Sequence, residues 1–275
     1  MSANENYIEV SFEVQTNEQS EICMALLIAE NYEGFEELPR RLTAFIPEHQ
    51  FNLDALQQIA KKTGAAFHVN VIPPKNWNEL WESNFQPVRI NDYCLIRAPF
   101  HEPAPDVQYE LVIMPKMSFG TGHHATTYMM VEQMQELDLT GKTVLDFGTG
   151  TGILAILAEK SGAADIAAID NEAWSIENAF ENAERNNCSK VVFTLADQLN
   201  MPEKFDVIFA NINKNVILNH MESVIHHLKS KGKVVFSGLL SGDETEIRAK
   251  AELCGLAFEK RLEKNHWISL RFGKI

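Results

Sequence analysis

Three alternating glycines and four acidic or amide side chains carry the chemistry legible in this chain. The segment Asp146-Phe147-Gly148-Thr149-Gly150-Thr151-Gly152 follows the apolar run Val144-Leu145 and precedes Ile153-Leu154. That pattern is a strand entering a glycine-rich turn and then a helix. Without Cβ atoms, Gly148, Gly150 and Gly152 let the backbone press against a ligand, while a helix opening at Ile153 aims its free N–H groups inward. A dinucleotide fingerprint would place its third glycine where this chain has Ile153, so a hydride-transfer site fits poorly. The expectation is a nucleotide-like cofactor of another kind.

The segments that follow must form the wall of such a site. Asp165-Ile166-Ala167-Ala168-Ile169-Asp170 is a short apolar run of parallel-strand type ending in a carboxylate, where the two hydroxyls of a ribose need acceptors. Lys190 to Asp197 ends the same way, placing Asp197 and Gln198 near an adenine. Phe205 to Ala210 delivers Asn211-Ile212-Asn213 to the same edge. Each Asp could instead only cap the next helix, but polar groups recurring at successive strand ends favour a ligand crevice.

Asp-x-Gly-x-Gly-x-Gly resembles motif I of the class I methyltransferases that use S-adenosylmethionine, which implies that Asp146 and the glycine backbone hold the methionine end of that cofactor. A second segment narrows the resemblance. Pro115-Lys116-Met117-Ser118-Phe119-Gly120-Thr121-Gly122-His123-His124-Ala125-Thr126-Thr127 reads as a loop leading into a helix over 127–137, with Thr126 and Thr127 able to cap it and to offer hydroxyls to a ligand carboxylate. Gly120 to Ala125 also fits Gly-x-Gly-x-x-Ala, but five residues separate it from the strand that ends at Met114, so the tight strand-to-turn context is missing.

Loop and motif I together resemble the bacterial ribosomal protein L11 methyltransferases, over nearly the whole chain. Trp77 and Trp81 match that family's Trp-x-x-x-Trp linker. Phe119, Gly120, Thr121, Gly122, His123 beside His124, Thr126 and Thr127 match its loop. The resemblance implies trimethylation of amino groups on a large-subunit ribosomal protein at the stalk base. It also implies a ferredoxin-like N-terminal domain that recognises the substrate, and cofactor contacts from Thr127, Gly148, Asp170 and Asn211. In this reading the Asn211 amide oxygen and the Ile212 carbonyl hold the substrate amine, with Phe119 as a channel wall. His123 or His124 could relay its proton or could serve only as structural hydrogen-bond partners. The chain departs from the family at Asn213-Lys214, where an apolar residue is common; Lys214 could alter the lip of the channel. Thr149 and Thr151 replace the usual Cys and Ser, small polar exchanges that should leave the turn intact.

Composition agrees. The 275 residues are 45% hydrophobic, enough for a large core and more in keeping with two domains than one. The net charge of −14 excludes a surface built for naked nucleic acid and suits a basic partner. No apolar run has membrane-spanning length, and Met1 to Glu5 lacks the start of a secretion signal, so a cytoplasmic location without membrane association is expected. Cys23, Cys94, Cys188 and Cys254 are widely spaced, suggesting neither a disulfide framework nor zinc, and no metal site is expected.

The pattern over residues 7–72 is βαββαβ, read as a small ferredoxin-like domain spanning 1–73. Pro73-Pro74 closes it. A linker over 74–90 follows, with Trp77, Trp81 and Phe85 on one stripe of a short helix. Residues 91–275 alternate strand and helix and finish with two strands, 255–263 and 266–272, expected as a hairpin on the sheet edge. The fold class is therefore α/β, a Rossmann-like methyltransferase sheet preceded by the α+β domain, and a monomer is expected. Two other functions remain open at this point: the same transfer to another protein or a small molecule, and a non-catalytic adaptor for basic proteins.

Overall fold

The computed structural model describes residues 5–73, 85–104, 106–116 and 118–275, which fall into two compact units, Met1–Phe85 and Gln86–Ile275. The expected aromatic stripe at Trp77 and Trp81 lies outside the described residues.

The first unit runs β1 (Tyr7–Glu13), α1 (Asn17–Ala29), β2 (Glu33–Leu38), β3 (Arg41–Pro47), α2 (Leu53–Thr63) and β4 (Ala66–Ile72). Local chemistry sets the helix ends. The Thr16 hydroxyl accepts from Gln19 N, the Asn52 amide oxygen accepts from Asp54 and Ala55 N, and Gly64 ends α2 at φ +69°. The sheet is antiparallel in the order β2-β3-β1-β4. The central strand places Val10 opposite Ala44 and Val69, and Phe12 opposite Leu42 and Phe67. Val10, Phe12, Leu42 and Ala44 are wholly buried with Cys23 and Leu27 of α1, so alternation along β1 is what anchors both helices to one face.

The second unit opens with a small sheet of β5 (Val88–Ile90), β6 (Cys94–Arg97) and β7 (Tyr109–Val112). It continues with α3 (Ala125–Gln135), β8 (Thr143–Phe147), α4 (Ile153–Lys160), β9 (Asp165–Asp170), α5 (Ala173–Arg185), β10 (Val191–Leu195), β11 (Phe205–Asn211), α6 (Lys214–His226), β12 (Leu228–Leu240), α7 (Glu244–Leu253), β13 (Leu256–Lys264) and β14 (Trp267–Lys274). The seven strands from β8 onward form one sheet in the order β10-β9-β8-β11-β12-β14-β13. It is parallel except for β14, which runs antiparallel to both neighbours. One core cluster packs Met130 and Met134 of α3 with Ile156 and Leu157 of α4; a second packs Ile217 and Met221 of α6 with Ile247 of α7. Both faces are thus covered, which is why Val144, Leu145, Ile208 and Phe209 can all be apolar and fully buried.

The closing strands form the expected antiparallel hairpin on the sheet edge, with β13 outermost and β14 between it and β12. Ile268, Leu270 and Phe272 of β14 are all fully buried, whereas β13 is mostly half-exposed, so the more apolar strand takes the inner position. The chain steps outward from β8 to β9 and β10 and then crosses back to β11 on the other side of β8, and this reversal opens a crevice at the carboxyl ends of the strands.

Among the described residues no helix is long and apolar enough to cross a membrane, and no group of three or more His, Cys, Asp or Glu is placed to hold a metal ion. The four cysteines are free thiols.

Candidate functional site

A cleft of about 370 Å³ lies at those strand ends. Its walls are Phe147 and Gly148 at the end of β8, Asp170 and Asn171 at the end of β9, Asp197 and Gln198 after β10, Ile212 and Asn213 after β11, and Val216 and His220 from α6. Asp170, Asp197, Gly148 and Ile212 are therefore brought together as their positions in the sequence suggest.

The three glycines turn out to serve different neighbours. Gly148, at φ +78°, lies against the Ile212 side chain, which a Cβ would strike, and it alone of the three lines the cleft. Gly150, at φ +55°, sits beneath the Phe119 carbonyl, leaving no room for a Cβ there. A Cβ on Gly152 would come within 3.0 Å of Ala179 Cβ, so this glycine admits α5 rather than a ligand.

Hydrogen bonds fix this turn from two sides. Gly148 N and Thr149 N both donate to the Ile169 carbonyl at 2.9 Å, and Gly150 N donates to Asp170 Oδ2 at 2.8 Å. Asp170 Oδ1 accepts from Glu172 N at 3.1 Å, so the carboxylate is oriented by backbone before any ligand arrives. Thr151 N donates to the Phe119 carbonyl at 3.0 Å and the Thr151 hydroxyl to the Gly120 carbonyl at 2.7 Å, fastening the loop over motif I.

Asp146 is completely buried and does not line the cleft. Its Oδ2 accepts from the Thr149 hydroxyl at 2.7 Å and from Ala155 N at 3.3 Å, tying the turn to α4, while Oδ1 has no hydrogen-bond partner among the described residues. Burial pushes this carboxyl up to about 7, against the lowering effect of those two bonds and with a small push from Asp170. Its place is that of a positioning residue.

The helix after the loop starts earlier than expected, at Ala125, and neither threonine caps it. His124 does so, its Nδ1 accepting from Thr126 N at 3.3 Å and pairing with the Thr126 hydroxyl at 2.8 Å. Thr126 and Thr127 fall in the first turn and are fully buried. Thr127 Oγ1 accepts from Asn211 Nδ2 at 3.3 Å, and the Asn211 amide oxygen is buried with no partner among the described residues. Phe119 is half-exposed, its ring 5.2 Å from that of His124, which in turn lies 4.8 Å from Trp267. His123 pairs with the Gln86 carbonyl at 2.8 Å and with Thr121 Oγ1 at 3.2 Å. Both histidines are thus engaged in holding the loop.

Asn213 caps α6, its Oδ1 accepting from Val216 N at 3.1 Å. Lys214 turns away from the channel: its ammonium pairs with Asp243 at 3.0 Å and Glu246 at 3.2 Å, bonds that raise its pKa.

Thr149 and Thr151, read in the sequence only as small polar exchanges, fasten the turn and the loop, and two further residues, His220 and Trp267, escaped the sequence reading. His220 follows Val216 by one helical turn, the signal for a shared face. Trp267 opens a strand far away in sequence and carries no local signal.

The sequence profile described as "Ribosomal protein L11 methyltransferase (PrmA)" matches residues 6–274. A protein of that name from Porphyromonas gingivalis is 39% identical over 282 residues, covering 97% of both chains. One from Chlorobaculum parvum is 38% identical, covering 96% of this chain and 95% of its own. The crystal structure of a ribosomal protein L11 methylase from Lactobacillus delbrueckii subsp. bulgaricus superimposes with a TM-score of 0.65 at 27% identity, covering 70% of this chain and all of that one. The chain belongs to the ribosomal protein L11 methyltransferase family, whose methyl donor is S-adenosylmethionine.

Proposed function

We propose that the chain transfers methyl groups from S-adenosylmethionine to amino groups of ribosomal protein L11, on lysine side chains and at the N-terminus, with Asn211 as the residue that receives the amine. The observation that carries this reading is the Asn211 amide oxygen, a buried acceptor with no partner among the described residues, whose own N–H is committed to Thr127. A buried acceptor left unbonded costs about 1–3 kcal/mol, and an arriving N–H would remove that cost.

The residues present fit the cofactor. Asp170 would take the ribose hydroxyls, Asp197 and Gln198 the adenine edge, and Gly148 the close approach of the chain that joins them, with Ile212 and Val216 as apolar walls. Thr126 and Thr127 stand beside Asn211 at the end where the methionine portion would lie. S-adenosylmethionine supplies, when bound, a methyl group already activated by its positively charged sulfur.

Positioning is therefore the main task of the protein. A lysine ammonium has no lone pair and must first release its proton. A site screened from water by Phe119 and Ile212 favours the neutral amine. The Asn211 amide oxygen and the Ile212 carbonyl then accept the remaining N–H groups, which aims the nitrogen lone pair. Residues 1–75 carry eleven carboxylates against five basic side chains, a field that attracts a basic protein; in this reading the Met1–Phe85 unit recognises L11 at the stalk base. A cytoplasmic monomer is the corresponding assembly.

Purified protein incubated with S-adenosylmethionine and ribosomal protein L11 should produce methyl-sized mass steps on L11, located on amines by fragmentation. Asn211→Ala should slow transfer about a hundredfold while retaining the cofactor. Absence of any mass step with the unmodified protein overturns the reading.

A further inference from the structure

We propose that Asn182 of α5 is a positioning residue for methyl transfer: its one buried amide holds both the chain that leads into the loop carrying Phe119 and the motif I turn on which that loop rests. The inference builds on the amine-methylation reading above and assigns a role to a side chain outside the cofactor cleft.

Asn178 and Asn182 of α5, and Asn186 at its C-terminal cap, recur every fourth residue, which places them on one helix face, and all three are buried. That face meets the chain running on from β7. Asn186 Oδ1 accepts from Val112 N at 2.9 Å and its Nδ2 donates to the Val112 carbonyl at 2.7 Å, so this amide pairs with the residue as a neighbouring strand would. Two residues further on, Asn182 Oδ1 accepts from Met114 N at 2.9 Å. The two repeats match because four helical residues rise about 6 Å and two extended residues cover about 6.6 Å. Lys116 continues the row through its ion pair with Glu181 at 2.7 Å.

Asn182 differs from Asn186 in what its amide N–H groups hold. Its Nδ2 donates to the Thr151 carbonyl at 3.0 Å, whereas Asn186 Nδ2 serves only Val112 and the Asn182 carbonyl. Thr151 is therefore held by α5 through its carbonyl, and it holds the loop through its N–H on the Phe119 carbonyl and its hydroxyl on the Gly120 carbonyl. The cleft side of the same turn hangs on β9 instead, through the Ile169 carbonyl and Asp170. Removing the Asn182 amide thus releases the loop at Met114 before it and at Thr151 beneath it, while the bonds that shape the cofactor cleft remain. Misplacing a group at a reacting site by about 1 Å slows a reaction about a hundredfold.

Two asparagines that a purely structural role would make alike provide the test. Asn182→Ala and Asn186→Ala each remove a buried amide from the same helix face, and urea unfolding should show similar losses of stability. With L11 as substrate, Asn182→Ala is expected to lower kcat about ten- to hundredfold, with affinity for S-adenosylhomocysteine, read by calorimetry, within about threefold of wild type, and to speed amide hydrogen exchange from Ser118 to His124. Asn186→Ala should keep kcat within about threefold of wild type. Thr151→Val, which removes the hydroxyl bond to Gly120 and preserves shape, should lower kcat in the same way. Combined with Asn182→Ala it should cost less than the product of the two single effects, since both release one loop. Unchanged kcat in Asn182→Ala, equal kcat losses at the two asparagines, or a fall in S-adenosylhomocysteine affinity matching the fall in kcat would overturn the inference. If Asn182→Ala fails to fold, an unaltered kcat in Thr151→Val overturns it alone. An inactive wild type would instead sink the methylation reading itself.

Discussion

Asp146→Asn changes the one carboxyl among the described residues that the fold removes wholly from water, while preserving its shape. In the native state Oδ2 takes the Thr149 hydroxyl and Ala155 N–H, and Oδ1 meets no partner among the described residues. Burial lifts the pKa from 3.8 to about 7. Because the folded value lies above the unfolded one, the native state holds a proton that the unfolded chain has already released. The stability from this group is complete below the unfolded value and is lost as pH rises through the folded one. A shift of roughly three units at about 1.4 kcal/mol each gives about 4 kcal/mol, of which about 3 kcal/mol is lost between pH 5 and pH 8. Asparagine keeps one oxygen for both hydrogen bonds, puts an unpartnered N–H in the other place at a cost of about 1–3 kcal/mol, and does not titrate. Urea unfolding of the intact protein without cofactor, at pH 5 and pH 8, should show the variant gaining about 3 kcal/mol on wild type across that interval. A difference between variant and wild type that does not change with pH would refute the argument, because Asp146 would then titrate alike in both states.

Gly150→Ala places a Cβ against the Phe119 carbonyl oxygen at a positive φ, and should cost about 2–3 kcal/mol in unfolding experiments while loosening the loop that Thr151 fastens. Asp206 behaves opposite to Asp146. Burial alone would raise it, but Thr143 N–H, the Lys229 ammonium and the Thr143 hydroxyl together hold it down at about 2. Its contribution is present above the unfolded pKa and lost as pH falls through the folded one. Asp206→Asn should therefore cost about 1–2 kcal/mol at neutral pH, a figure reduced for partial solvent screening, and converge on wild type in acid; an equal loss at both ends would contradict it.

What the sequence disclosed was governed by local rules. The glycine turn, the carboxylates at the end of β9 and after β10, and Asn211 at the end of β11 are each announced by an apolar run and the residue that ends it, and a parallel sheet necessarily gathers such ends on one side. What stayed hidden depends on partners distant in sequence. His124 displaces Thr126 and Thr127 as helix cap because the loop holds its ring between Phe119 and Trp267, 143 residues later in the latter case. Lys214 is drawn off by Asp243, just before α7, and by Glu246 of α7. The clearance that Gly152 provides for Ala179 of α5 is likewise invisible in the local pattern. The inner position of β14 follows from competition between two strands for the buried place, which neither pattern reveals when read alone.

Asp170 offers the most direct test of the central claim, that the strand-end cleft holds the cofactor. Calorimetric titration of S-adenosylhomocysteine into the wild-type protein and into Asp170→Ala should show affinity falling about ten- to hundredfold, the loss of hydrogen bonds to a charged acceptor. Asp170→Asn, which retains an oxygen for Gly150 N, should fall in between. Undiminished affinity in Asp170→Ala would mean that the nucleoside binds elsewhere, and the account of the cleft would fail.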